Sequence, residues 1–139
     1  MTYVIGRLER TMRRQLDEAL RPFGLTTPQY ATLVELGVRA GQSNAQLARR
    51  TFMTPQSMSE VIKALEGKGF VSREADEAHG RLIRIMLTPA GAKAVAACDE
   101  AVDVVENQML RELKPRDREQ LLADLKSCVR MLGVGFTEI

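Results

Sequence analysis

Proline placement constrains this chain more than any other feature of its sequence. Of five prolines, four sit where a helix begins. Proline suits the first helical turn because it has no N–H to leave unpaired there and its φ is already helical. "TTPQ" offers Thr26 or Thr27 as a cap with Pro28 just inside, and "MTPQ" repeats the device with Thr54 and Pro55. "LTPAG" does so with Thr88 and Pro89, and "LKPRD" with Lys114 and Pro115, less well capped. The fifth, Pro22 in "RPFG", closes the opening helix with Gly24 in support. One further start lacks proline: in "GQSNAQ", Ser43 and Gln46 stand at capping-box spacing.

This punctuation predicts six helices, at about 3–21, 28–39, 44–51, 55–67, 89–113 and 116–132. Apolar residues recur at helical spacing in them. Ile5, Leu8, Met12, Leu16 and Ala19 share one face of the first, and the expected inward set of the second is Tyr30, Leu33, Val34 and Val38. Leu47 and Ala48 anchor the short third, and Met58, Val61, Ile62 and Leu65 line the fourth. Between the fourth and fifth lie two β-prone runs, "FVSREA" and "RLIRIML", joined by "DEAHG", which reads as a hairpin. The fold class is mainly α with a small β-hairpin.

In the fifth helix Val95, Cys98, Val102, Val105 and Met109 alternate spacings of three and four, and in the sixth Leu121, Leu125, Cys128 and Leu132 do the same. That is a coiled-coil-like seam. A helix of about 25 residues runs roughly 37 Å, longer than the core of so small a unit needs. These helices, with the first, are therefore expected to pack against a second copy of the chain.

With 139 residues and 45% apolar content, the chain suffices for one domain or one compact unit of two parts. Cys98 and Cys128 are too few for a disulfide framework. The N-terminus carries charges every few residues, and no uncharged stretch approaches membrane-spanning length. A cytoplasmic protein that does not enter the membrane is the expectation. The net charge of +2 hides an asymmetry: residues 1–25 and 26–91 each carry +2, and 92–139 carry −2. The tilt is a weak pointer to nucleic acid. No HExxH, CxxC, Gly-rich phosphate loop or GxSxG occurs, and the single histidine, His79, has no Ser or Cys nucleophile beside it in sequence. No enzyme activity, metal or cofactor is expected.

The outward side of the fourth helix carries Gln56, Ser57, Ser59, Glu60 and Lys63, rather than the usual Glu/Lys mixture. Helix, helix, turn, helix, hairpin is the order of a winged helix-turn-helix, whose second turn helix lies in the DNA major groove. Short polar groups reach base edges without filling the groove. Glutamine pairs with adenine in a bidentate way, and glutamate accepts from cytosine. Lys63 and Lys68 suit phosphate, and the helix N-terminus at Thr54 and Pro55 adds a positive dipole end. "HGRLIR" offers His79, Arg81 and Arg84 at or near the hairpin tip, where arginine can enter the minor groove. The same helix pattern also fits a solvated surface helix, and Arg81 could equally pair with Asp76.

The chain resembles the MarR family of winged-helix regulators over nearly its whole length. The resemblance rests on "LTTPQYATLVEL", on "LARRTFMTPQSMSEVIKALEGKGFVSRE" and on "HGRLIRIMLTPAG" leading into a long helix. The family's wing commonly reads Asp–x–Arg–Asp–x–Arg; here Asp76 and Arg81 match, while Ala78 and His79 depart from it. Where the family often has an arginine in the recognition helix, this chain has Glu60. The resemblance implies a winged helix-turn-helix DNA-binding domain at 26–91 and a helical dimerisation region formed by 1–25 and 92–139. It further implies a homodimer reading a pseudo-palindromic operator in double-stranded DNA, usually as a repressor, with release by a small molecule or a redox signal. The expected DNA contacts are Ser43, Asn44, Thr54, Pro55, Gln56, Ser57, Ser59, Glu60, Lys63, Lys68, Arg73, His79, Arg81 and Arg84. A small aromatic or phenolic acid is the expected ligand, held by Met12, Arg13, Leu16, Tyr30 and Leu33. Alternatives are a winged-helix protein-interaction module without DNA binding, and a cysteine redox-responsive regulator. The latter lacks the first-helix cysteine of the family's peroxide-sensing branch, and Cys98 and Cys128 read foremost as buried core thiols.

Overall fold

The computed structural model describes residues 1–75 and 82–132. Helix α1 (Thr2–Leu20) ends in a 3-10 turn, Arg21–Phe23, and α2 (Thr27–Val38), α3 (Asn44–Arg50) and α4 (Pro55–Gly67) follow. The strands β1 (Val71–Ala75) and β2 (Ile83–Leu87) lead into α5 (Pro89–Met109) and α6 (Pro115–Met131).

The caps do what their chemistry requires. Thr26 Oγ1 accepts from Gln29 N–H while Gln29 Oε1 accepts from Thr26 N–H, a capping box opening α2. Ser43 and Gln46 close the same reciprocal pair at α3, at 3.3 and 2.8 Å. Thr54 Oγ1 caps α4 by accepting from Ser57 N–H at 3.1 Å. Thr88 caps α5, accepting from Gly91 N–H at 3.0 Å, and its own hydroxyl donates to Gly69 O at 2.7 Å. Gly69 sits at φ +71°, a left-handed turn glycine adopts without strain, and lets the chain reverse from α4 into β1.

The hairpin pairs Val71 with Leu87 through to Ala75 with Ile83, antiparallel. Residue 42 adds a third, one-residue partner: Ile85 N–H donates to Gln42 O at 2.8 Å. Leu20, Leu25, Leu33, Leu36, Leu47, Met58, Ile62, Leu65, Val71 and Ile85 form one continuous core. Each fully buried leucine or isoleucine contributes roughly 1.5–3 kcal/mol. Helix α1 packs on α5 and α2, and Cys98 of α5 completes the core from that side. At Gly91 the first turn of α5 meets the hairpin so closely that a Cβ would lie 2.2 Å from Phe70 O and 2.7 Å from a Leu87 methyl.

Three expectations need correction. Helix α2 buries Thr32, Leu33 and Leu36, leaving Val38 68% exposed. The helix is rotated from its most apolar face because Thr32 can hide its hydroxyl by donating to Pro28 O at 2.8 Å. Helix α5 ends at Met109, four residues short of the expected 113. Cys98 is buried but Cys128 is exposed, because α6 buries none of its residues. The exposed apolar residues include Leu122, Leu125 and Met131 of α6 with Leu132 just after it, and Tyr3, Val4, Ile5 and Leu8 of α1.

Candidate nucleic-acid interface

Helix α4 is two-sided. Met58, Ile62 and Leu65 are buried and Val61 is half-buried. Gln56, Glu60 and Lys63, one turn apart in series, are exposed on the other side, as is Ser59. The arrangement presents an amide, a carboxylate and an ammonium on one solvent-facing row of a rigid helix.

Several of the other expected contact residues are engaged inside the lobe. Ser57 is half-buried, and its Oγ accepts from Thr54 Oγ1 at 2.9 Å, so both hydroxyls belong to the cap. Ser59 Oγ donates to Pro55 O at 2.9 Å and accepts from Asn44 Nδ2 at 3.0 Å. Ser43 Oγ holds the α3 cap. Lys68 Nζ turns away from the row, donating to Gly24 O and to Gln29 Oε1 at 3.1 Å. Arg73 Nε lies 3.1 Å from Glu66 Oε2. Arg84 donates to Gly41 O at 2.7 Å and sits opposite Glu74 in the hairpin. Thr54 and Pro55 are exposed at the start of α4. His79 and Arg81, with Asp76 and Ala78, lie outside the described residues.

The turn between α3 and α4 carries an unusual backbone. Phe52 stands at φ +57° with its ring largely exposed, a left-handed conformation that costs a non-glycine residue about 1 kcal/mol or more. Met53 N–H donates to Ala48 O at 2.8 Å, which closes the turn.

The five residues expected to hold a ligand are divided. Leu33 is wholly buried, with Leu16 and Tyr30 packed against the core, and Met12 is half-exposed. Burial, and behind it Asp99, Cys98, Asp103 and Glu106, raise the Tyr30 phenol above its ordinary pKa. Arg13 is paired with Glu9 at 2.8 Å and faces a surface groove of about 550 Å³, whose other walls include Asp17, Arg21, Gly24 and Pro28. Asp17 accepts from Thr27 Oγ1 at 2.7 Å and Thr27 N–H at 3.0 Å, and these bonds hold its carboxyl below the usual range. Burial and Asp99 push the Cys98 thiol up, away from the reactive thiolate. Among the described residues no cluster of three or more His, Cys, Asp or Glu could hold a metal ion. No described helix is long and apolar enough to cross a membrane.

Sequence reasoning missed the tie from Lys68 to Gly24 and Gln29 and the tie from Asp17 to Thr27. Their partners are 44, 39 and 10 residues away, so no local pattern exposes them. The Thr26–Gln29 spacing alone carried a readable signal, that of a capping box.

A family model described as the MarR family matches residues 23–82. The HTH-type transcriptional repressor Rv2887 of Mycobacterium tuberculosis is 34% identical over 118 residues, covering 84% of this chain and 85% of its own. The crystal structure of the same MarR family protein in complex with salicylic acid superposes with a TM-score of 0.75 at 30% identity, over 92% of this chain and 95% of that one. The transcriptional regulator BldR of Sulfolobus solfataricus shares the fold, with a TM-score of 0.86 at 23% identity over 94% and 92% of the two chains.

Proposed function

The chain belongs to the MarR family of transcriptional regulators, and from that premise we propose that it is a sequence-specific regulator of double-stranded DNA, a repressor, acting as a homodimer. The observation that carries this reading is the exposed row Gln56, Glu60 and Lys63 on a helix whose opposite side is anchored in the core. Entering a major groove, Gln56 pairs with adenine and Glu60 accepts from a cytosine amine, while Lys63 meets phosphate. The exposed apolar rows of α1 and α6 support the dimer, since each protomer leaves them without cover. With two lobes, the operator is a pseudo-palindrome whose half-sites lie about 10 bp apart or a multiple of that. The salicylic acid complex of the similar repressor supports release by a small aromatic or phenolic acid, and the Arg13 groove offers such an acid a cation.

Gel shifts on the chain's own upstream DNA, with a salt titration, test the reading. Affinity should fall steeply with salt as several phosphate contacts release counterions. Lys63→Ala should weaken all sequences alike, whereas Gln56→Ala should relax one base position by about 1–3 kcal/mol. Identical behaviour of the two variants on matched and mismatched sites removes the groove assignment. Absence of any DNA binding leaves the winged lobe as a protein-interaction module, for which Glu60 on the exposed row is the favouring feature. Salicylate should shift the DNA-bound fraction, and no shift across a series of aromatic acids removes the ligand proposal.

A further inference from the structure

Asn44 is the first residue of α3, yet both hydrogen bonds of its amide go to the first turn of α4. Its Nδ2 donates to Pro55 O and to Ser59 Oγ, each at 3.0 Å, and the Ser59 hydroxyl donates to the same Pro55 carbonyl at 2.9 Å. The orientation of the amide follows from this chemistry, because the reverse would set Oδ1 against the Pro55 carbonyl, acceptor against acceptor. The remaining Asn44 Oδ1 is shut off from solvent and finds no partner among the described residues. An asparagine free to turn outward would not leave that oxygen unpaired.

Pro55 and Ser59 stand one turn apart on the same side of α4. One NH₂ group holding both fixes the roll of α4 about its own axis, which the apolar contacts of Met58 and Ile62 alone specify less sharply. Roll decides where Gln56, Glu60 and Lys63 point. We infer that Asn44, although its place beside the turn suggests a DNA contact, is a positioning residue that sets the phase of the recognition helix. The Ser59 hydroxyl proton is committed to the same clamp, so the groove-reading groups contract to Gln56, Glu60 and Lys63. This inference rests on the DNA-binding reading for its functional consequence, and on the hydrogen bonds alone for the clamp itself.

Asn44→Ala, Ser59→Ala and the double variant test it, well below the unfolding transition, on a duplex selected from random sequence by the unaltered chain and on the same duplex with the Gln56-dependent base changed. Asn44→Ala should reduce the matched-to-mismatched affinity ratio by about fivefold, the scale of one hydrogen bond, and Ser59→Ala by less, because the bond from Asn44 to Pro55 O remains. The double variant should do no worse than Asn44→Ala alone, which already removes both bonds from α3 to α4. Equal weakening of the matched and mismatched duplexes in Asn44→Ala, or additive losses in the double variant, overturns the inference and makes Asn44 a contact. Amide hydrogen exchange without DNA provides a separate readout. Exchange at residues 57–60 should quicken in Asn44→Ala while that of α2 does not, and an unchanged rate there overturns the clamp. Failure of the unaltered chain to bind any DNA would instead strike the proposed function and leave the exchange result standing.

Discussion

The winged lobe and the terminal helices are built from similar amounts of apolar sequence and use it differently. In the lobe, Leu33, Leu47, Met58, Ile62 and Leu65 are all but inaccessible to solvent. In α6 no residue is buried, and Met131 is 84% exposed; at the other end of the chain Tyr3 is 72% exposed. The lobe closes most of its own core, which Leu20 of α1 and Cys98 of α5 complete. The exposed apolar residues of the terminal helices are what support the proposed dimer. The difference separates two kinds of leucine that sequence periodicity cannot distinguish.

The largest expected effect tests that separation directly. Leu65→Ala should cost roughly 2–5 kcal/mol in chemical denaturation, from lost burial plus the cavity left behind. Leu125→Ala should leave the helical circular dichroism intact and raise the protein concentration at which dimers appear in sedimentation. Equal loss of stability in the two variants would erase the distinction. At the junction of the two regions, Gly91→Ala should cost roughly 1–3 kcal/mol or more by thermal unfolding, because the added methyl meets a backbone carbonyl that cannot swing aside. Thr88→Ala, one turn earlier, should cost about 1 kcal/mol through the lost cap.

The smallest effect concerns pH. Asp17 has its folded-state pKa lowered by Thr27, below the ordinary 3.8. A depressed carboxylate contributes stability above its unfolded value and loses it as pH falls through its folded value. The tie from α1 to α2 should therefore be fully present at neutral pH and fade below pH 3.8. Asp17→Asn should be less stable than the unaltered chain at neutral pH, with the gap narrowing in acid. A gap that does not change with pH would mean the charge of Asp17 contributes nothing.

Much of the fold was legible because its stops and starts are local. Thr54, Pro55 and Gly67 bound α4 where expected, and Ser43 with Gln46 opens α3. The order of helices and hairpin followed from those marks. The rotation of α2 was not legible, because apolar count favours Val38 while a threonine that satisfies its own hydroxyl can be buried instead. Nor was the fate of the basic side chains. Lys68 and Arg84 look from sequence like free cations, but their carbonyl acceptors at Gly24 and Gly41 come from loops more than forty residues away. Asn44 is the sharpest instance: its residue type and place invite a base contact, and only the packing of α3 on α4 reveals where its amide goes.

The missing side chain at Gly91 has a mechanical consequence. With the Phe70 carbonyl pressed into the space where a methyl would sit, α5 leaves the lobe like a spoke seated closely in its hub. The spoke is roughly 31 Å long at the usual rise for its 21 residues. A tilt of α5 should therefore carry the hairpin with it and, through the shared core, shift the exposed row Gln56, Glu60 and Lys63.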